Sequence, residues 1–177
     1  LSNQKVIKYL LTIFLGSLLL TISAKIKIPF YPVPMTMQTF IVVLMGVTFG
    51  WKIGVATISL YLLEGIIGFP VFAGTPEKGS GLIYFMGPTM GYLIGFLFAA
   101  FLAGYLNLKT NIFLIFLKLI LSVSIIYILG ILWLGHLIGW DKPLLELGLM
   151  PFLLAELFKI SLLTILTKKL IKFRKFI

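Results

Sequence analysis

The chain has no cysteine and a single histidine, His136. Disulfides, thiolate metal sites and cysteine nucleophiles are therefore excluded, and the redox compartment stays open. One histidine without an acid pair nearby gives no metal centre, and its place at the end of an apolar run suits an interfacial position. Acids are scarce as well: Glu64, Glu77, Asp141, Glu146 and Glu156 are the only ones in 177 residues. No Ser/His/Asp set, paired catalytic acids or phosphate-binding glycine loop can be assembled from such a set, so the chain carries no engine of its own. Charged residues make up 11%, against about 25% in an ordinary soluble domain. What remains is apolar: 60% of residues are hydrophobic and the mean hydropathy is +1.15. This composition predicts an all-α integral membrane protein folded as a single domain over residues 1–177.

The net charge of +10 invites a nucleic-acid reading, but its distribution opposes one. Most basic residues lie at helix ends and in the tail Lys168-Lys169-Leu170-Ile171-Lys172-Phe173-Arg174-Lys175. Anionic lipid and orientation signals act at such places, so the partner is the bilayer and no nucleic acid is expected.

A crossing helix needs about 20 apolar residues. Six candidate spans follow: roughly Val6–Ala24, Thr36–Phe49, Ile53–Gly68, Pro88–Leu106, Ile112–Ile138 and Leu149–Thr167. The first lacks an Ala-x-Ala cleavage pattern and reads as a mature span. The second and third are short and joined by Gly50-Trp51-Lys52, a tight helical hairpin. With the N-terminus in the cytoplasm, the inner segments hold Lys5, Lys8, Lys52, Lys109, Lys168, Lys169, Lys172, Arg174 and Lys175. The outer segments hold Lys25, Lys27, Lys78 and Lys142, with all three loop acids, Glu77, Asp141 and Glu146. The positive-inside rule therefore predicts six transmembrane helices with both termini cytoplasmic.

Under this topology the unusual features gather on the outer side. Pro29, Pro32 and Pro34 force an extended or turning backbone before Thr36, Gln38 and Thr39 open a helix. That segment is a capped turn or part of a site. Glu64 is an intramembrane acid that lines a site, pairs with a lysine or sits neutral. Phe69 and Phe72 form an apolar wall at the start of a loop that runs to Met86 with a solvated middle. Pro88 suits a first helical position, and the N–H groups after it make a weak anion site. Gly87, Gly91 and Gly95 form a small-xxx-small ladder suited to helix packing. Glu156 and Lys159, three apart in the last span, share a helix face. Charges at that depth point into a protein interior or cavity. They form either an internal ion pair or a matched acceptor and donor for a ligand such as an amide-like or ureido ring.

At these residues the sequence resembles the BioY family, the biotin-binding S subunits of energy-coupling-factor (ECF) transporters. Three motifs carry the resemblance: Pro32-Val33-Pro34-Met35-Thr36-Met37-Gln38-Thr39, then Tyr61-Leu62 through Gly68-Phe69-Pro70-Val71-Phe72-Ala73-Gly74, then Gly87-Pro88-Thr89 with Gly91-Tyr92. Tyr127 and Gly130 to Leu134 are similar to the family's fifth span, and the similarity runs from about Ile26 to Thr167. The family usually has Pro-Gly-Asp-x-x-Lys at the start of its last span. Here Leu154-Ala155-Glu156-Leu157-Phe158-Lys159 stands there, with a longer acid and no Pro-Gly.

The resemblance implies a non-enzymatic, multi-pass protein of the bacterial cytoplasmic membrane that captures biotin from outside and needs no cofactor. Its implied partners are a transmembrane coupling subunit and a pair of ATPases. It implies a site in which Glu156 and Lys159 meet the ureido ring and Thr36, Gln38, Thr89 and Tyr92 add hydrogen bonds. Phe69, Phe72, Phe85 and Met86 would cover the sulfur-containing ring and aliphatic tail. It also implies a small-residue face on the first helix, at Ser17 and Thr21, against the coupling subunit. Rival readings are an S subunit for another vitamin or small heterocycle, an intramembrane enzyme using Glu64 or Glu156 as general acid or base, and a purely structural membrane subunit.

Overall fold

The computed structural model describes residues 3–175. Six long helices dominate: α1 (Asn3–Lys25), α2 (Gln38–Phe49), α3 (Trp51–Ile66), α5 (Met90–Tyr105), α6 (Ile112–Ile138) and α8 (Leu153–Leu170). Two five-residue helices, α4 (Gly81–Phe85) and α7 (Leu144–Gly148), precede α5 and α8. Short 3₁₀ turns at Met150–Phe152 and Ile171–Lys175 flank α8. The apolar runs become helices because a bilayer offers the backbone no partners, so each segment must satisfy its own N–H and C=O groups. Boundaries fall where the sequence supplies stops. Asn111 caps α6 by accepting from Leu114 N–H at 2.8 Å, and Gly139 ends it at φ +102°.

Helix α5 sits at the centre, packed on α6, α2 and α3. Small residues permit the close approach. A Cβ at Gly95 would stand 2.6 Å from the Ile126 backbone, and one at Gly91 2.3 Å from Leu129 O, so both glycines of the expected ladder seat α5 on α6. Gly87 lies outside that contact, in the turn under Tyr84. Helix α1 is peripheral. Leu10, Leu11, Phe14, Leu15, Leu18, Leu19 and Ile22 are all exposed along it, which suits lipid as the surrounding solvent.

Three features differ from the sequence reading, and a fourth, the shortness of α2, agrees with it. Lys27–Ile28 (β1) pairs antiparallel with Met35–Thr36 (β2), so Thr36 belongs to a strand and α2 begins at Gln38. The prolines between them make the connecting turn. Pro88 stands two residues before α5, in a turn closed by Met90 N–H on Gly87 O. The last span is broken at its outer end, since Pro151 supports only a 3₁₀ turn before α8 starts at Leu153. Helix α2, at 12 residues, is about 18 Å long, short of a ~30 Å hydrocarbon core.

Candidate functional site

The N-terminal end of α8 carries two buried charges held in one network. Glu156 is 6% exposed and Lys159 5%. The Lys159 ammonium donates to Glu156 Oε1 at 2.9 Å, to Thr39 Oγ1 at 3.0 Å and to the Thr36 carbonyl at 2.7 Å. All three of its N–H bonds are thereby used. Thr39 Oγ1 in turn donates to Glu156 Oε1 at 2.7 Å. Glu156 Oε2 is buried and meets no hydrogen-bond geometry with any partner among the described residues, and the Tyr127 phenol stands beside the carboxylate. One carboxylate oxygen is thus fixed by the fold while the other is left as a free acceptor. Three elements meet here because Lys159 reaches from α8 to the last residue of β2 and to the first turn of α2.

Glu156 also lines a half-open pocket whose empty space comes to about 540 Å³ with the solvent at its mouth included. Its walls include Thr36, Gln38 and Thr39 from the β2–α2 junction, Thr89 and Tyr92 at the start of α5, and Tyr127 of α6. Phe72, Tyr84, Phe96 and Phe152 supply aromatic surface. The arrangement is a polar pole at one end of an aromatic chamber, suited to a small ligand with polar and apolar parts. A larger cleft of about 1210 Å³ lies between α6 and α8. It is walled mainly by Ile, Leu and Val and shares only Tyr127 and Glu156 with the chamber, so it lacks the convergent polar groups of a selective site.

The loop after α3 forms one wall of the chamber, through Phe72 and Ala73. Val71 to Thr75 are buried, whereas residues 76–80 are exposed. Phe72 is 1% exposed and lies against Tyr61, Tyr84 and Phe85, with ring centroids 5.5, 5.5 and 6.1 Å away. It fits because residue 65 is glycine: a Cβ there would stand 2.1 Å from the Phe72 ring. Lysines at the end of α1 and in β1 hold the loop backbone. Lys25 donates to the Phe72 and Thr75 carbonyls at 2.8 and 2.6 Å, and Lys27 donates to Ala73 O. Tyr61 donates to Val71 O at 3.1 Å, and Gly74 N–H donates to Tyr84 Oη at 2.9 Å. Burial pushes the Tyr84 phenol pKa up, so its hydroxyl keeps its proton.

Of the expected residues, Thr36, Gln38, Phe72, Thr89, Tyr92 and Glu156 line the chamber, and Lys159 stands behind Glu156. Several of them have committed polar groups besides Lys159. The Thr36 hydroxyl donates to Gln38 Oε1 at 3.3 Å and accepts from Gln38 N–H at 3.2 Å. Gln38 Nε2 donates to Tyr61 Oη at 2.6 Å, and Tyr92 Oη donates to Gly148 O at 2.9 Å. Tyr92 therefore offers its ring more than its hydroxyl. Phe69, Phe85 and Met86 are corrections. Phe69 and Met86 are exposed, at 58% and 53%, and Phe85 backs Phe72 without reaching the cavity. Phe72 fills the gap above Gly65, while Phe69 and Met86 stay exposed.

Ser17 is corrected as well. It is 1% exposed and donates its hydroxyl to Glu64, so it faces α3 and not a partner's surface. Thr21 is half-buried and donates to Ser17 O at 3.1 Å. Glu64, answered by Ser17, stays outside the chamber lining. Site residues absent from the sequence expectation are Thr39 in its network role, Tyr84, Phe96, Tyr127 and Phe152. Thr39 and Tyr127 lay within noticed motifs. Tyr84, Phe96 and Phe152 carried no signal in an aromatic-rich chain.

Known proteins resemble this chain in sequence and in fold. A sequence model of the BioY family matches residues 2–176. A probable biotin transporter BioY of Pyrococcus horikoshii is 34% identical over 86% of this chain and 89% of its own length. The biotin transporter BioY of Thermotoga maritima is 35% identical over 87% and 90%. The crystal structure of the S-component for biotin from an ECF-type ABC transporter superposes with a TM-score of 0.81 at 27% identity, covering 97% of this chain and 95% of that one. With a match that runs almost end to end, and relatives above 30% identity along most of their length, the chain belongs to the BioY family.

Proposed function

We propose that the chain is the substrate-specific subunit of an ECF-type transporter and captures biotin at the outer face of the cytoplasmic membrane of a bacterium. The observation that carries this reading is the buried Glu156–Lys159 pair, with one carboxylate oxygen unpartnered at the wall of an aromatic chamber. A ureido ring brings two N–H donors and a carbonyl, and an unpartnered buried acceptor is the group such a donor satisfies best. Glu156 Oε2 accepts from the ureido N–H. Lys159 positions and neutralises Glu156, while Thr36, Thr39 and Thr89 complete the polar end. Phe72, Tyr92 and Tyr127 enclose the fused rings and the start of the aliphatic tail. The chain carries no catalytic role, in line with its membership of a transporter family.

Transport then requires a transmembrane coupling subunit and a pair of ATPases, with both termini in the cytoplasm. The tail lysines, on the same side as Lys52 and Lys109, support that orientation. Calorimetric titration of the purified chain with biotin tests the reading, alongside a competition panel of other vitamins. Saturable biotin binding that the panel does not displace is expected. Absence of binding at micromolar biotin, or displacement by another vitamin at lower concentration, overturns it.

A further inference from the structure

A second pocket, with about 850 Å³ of empty space when the solvent at its mouth is included, adjoins the chamber. The two share Pro34, Ala73, Tyr84 and Thr89 as walls. The outer cavity is lined by two cations, Lys27 and Lys78, and by no acid. Their ammonium groups differ in availability. Lys27 is engaged by Ala73 O. Lys78 makes no side-chain hydrogen bond or ion pair among the described residues, while its backbone N–H on Gly74 O, at 2.8 Å, fixes the turn that carries it. The path from α8 outward therefore reads as a buried carboxylate with one free oxygen, an aromatic chamber, and a cationic mouth.

We infer that the mouth is the subsite for the ligand's carboxylate, with Lys78 as its cation, and that the protein thereby selects the free acid over amide-linked forms. This rests on the proposed capture of biotin. The electrostatics fix the ligand's direction. A carboxylate placed beside Glu156 would meet a like charge in a desolvated space, which is unfavourable. Turned around, the same ligand gives its uncharged ureido donors to Glu156 and its anion to Lys78. The aliphatic tail runs along Ala73, Tyr84 and Pro34, the walls that the two pockets share. Esterified or amide-linked forms keep the rings and tail but lose the anion, so they forfeit only the contact at the mouth.

The test compares biotin with biotinamide, its primary amide, on the full chain and on Lys78→Gln. Wild type is expected to bind biotin about fivefold more tightly than the amide, the size of one good partly exposed ion pair, and to lose that preference as salt rises. Lys78→Gln should bind the two ligands alike while keeping wild-type affinity for biotinamide, which also reports that the variant is folded. A wild type that binds both ligands equally, or a Lys78→Gln protein that still prefers the acid, overturns the subsite and leaves the capture reading standing. Failure of both ligands to bind wild type overturns the two together.

Discussion

Helix α2 is held at both ends by cations from the last helical stretch, and the two ends do different things. At its outer end Lys159 meets the Thr36 carbonyl, Thr39 Oγ1 and Glu156. At its inner end Arg174 donates to the Val47 carbonyl at 2.9 Å, and to Gly46 O and Ala103 O at 3.3 Å each. The inner clamp exploits carbonyls in the last turns of α2 and α5, where the helix dipole favours a cation. It needs no acid and leaves no acceptor over. The outer clamp adds a carboxylate, uses one of its oxygens and strands the other. The same tying chemistry therefore uses every acceptor at one end and leaves one carboxylate oxygen over at the other.

The largest expected effect would break the outer clamp. Lys159→Met leaves Glu156 buried without its counter-charge and should cost roughly 3–5 kcal/mol of stability. Thermal unfolding in detergent reads this, and biotin binding should fall below detection. Glu156→Gln combined with Lys159→Met should recover much of the stability and none of the binding. Recovery of both would make the pair mere packing, and the contrast between the two ends would vanish.

A smaller effect is expected from the loop that shuts the chamber. Gly65→Ala forces the Phe72 ring out of its seat, and overpacking of this kind costs about 1–3 kcal/mol. Biotin should dissociate faster from that variant, as followed by stopped-flow displacement. An unchanged dissociation rate would mean that Phe72 does not close the site.

Smaller still is the expected consequence of opening the inner clamp. Arg174→Met should lower stability by about 1–2 kcal/mol through lost charge-assisted hydrogen bonds. Biotin affinity should stay within about twofold of wild type, since a distant and independent site is additive with the pocket. Exposed Lys169→Ala should change neither quantity, and serves as the floor. If Arg174→Met weakens binding as strongly as Lys159→Met, the two ends of α2 act as one device.

Much of this comparison was legible beforehand in one respect and invisible in another. Glu156 and Lys159 announce themselves, because an acid and a base three apart in an apolar run have few reasons to be there. Arg174 looked like one member of a basic tail, and nothing in its neighbours separates it from Lys172 or Lys175. Phe72 and Phe69 sit in the same motif with similar flanks, yet the first is buried over Gly65 and the second is exposed. Ser17 read as a small residue for a partner's surface and instead answers Glu64 on the neighbouring helix. In each case the missing information is the direction of a side chain relative to elements distant in sequence.

Taken alone, the amino-acid order determined the membrane class, the helical state, the positions of most helices and the presence of a charged pair at depth. Hydropathy, helix stops and the rarity of intramembrane charge are local properties, and a bilayer enforces them segment by segment. Only the tertiary arrangement decided which carboxylate oxygen is free, which phenylalanine shuts the chamber and which lysine at the mouth is unengaged. Those are outcomes of contacts between β2, α2, α8 and the loop after α3, whose spacing along the chain carries no record of their distance in space.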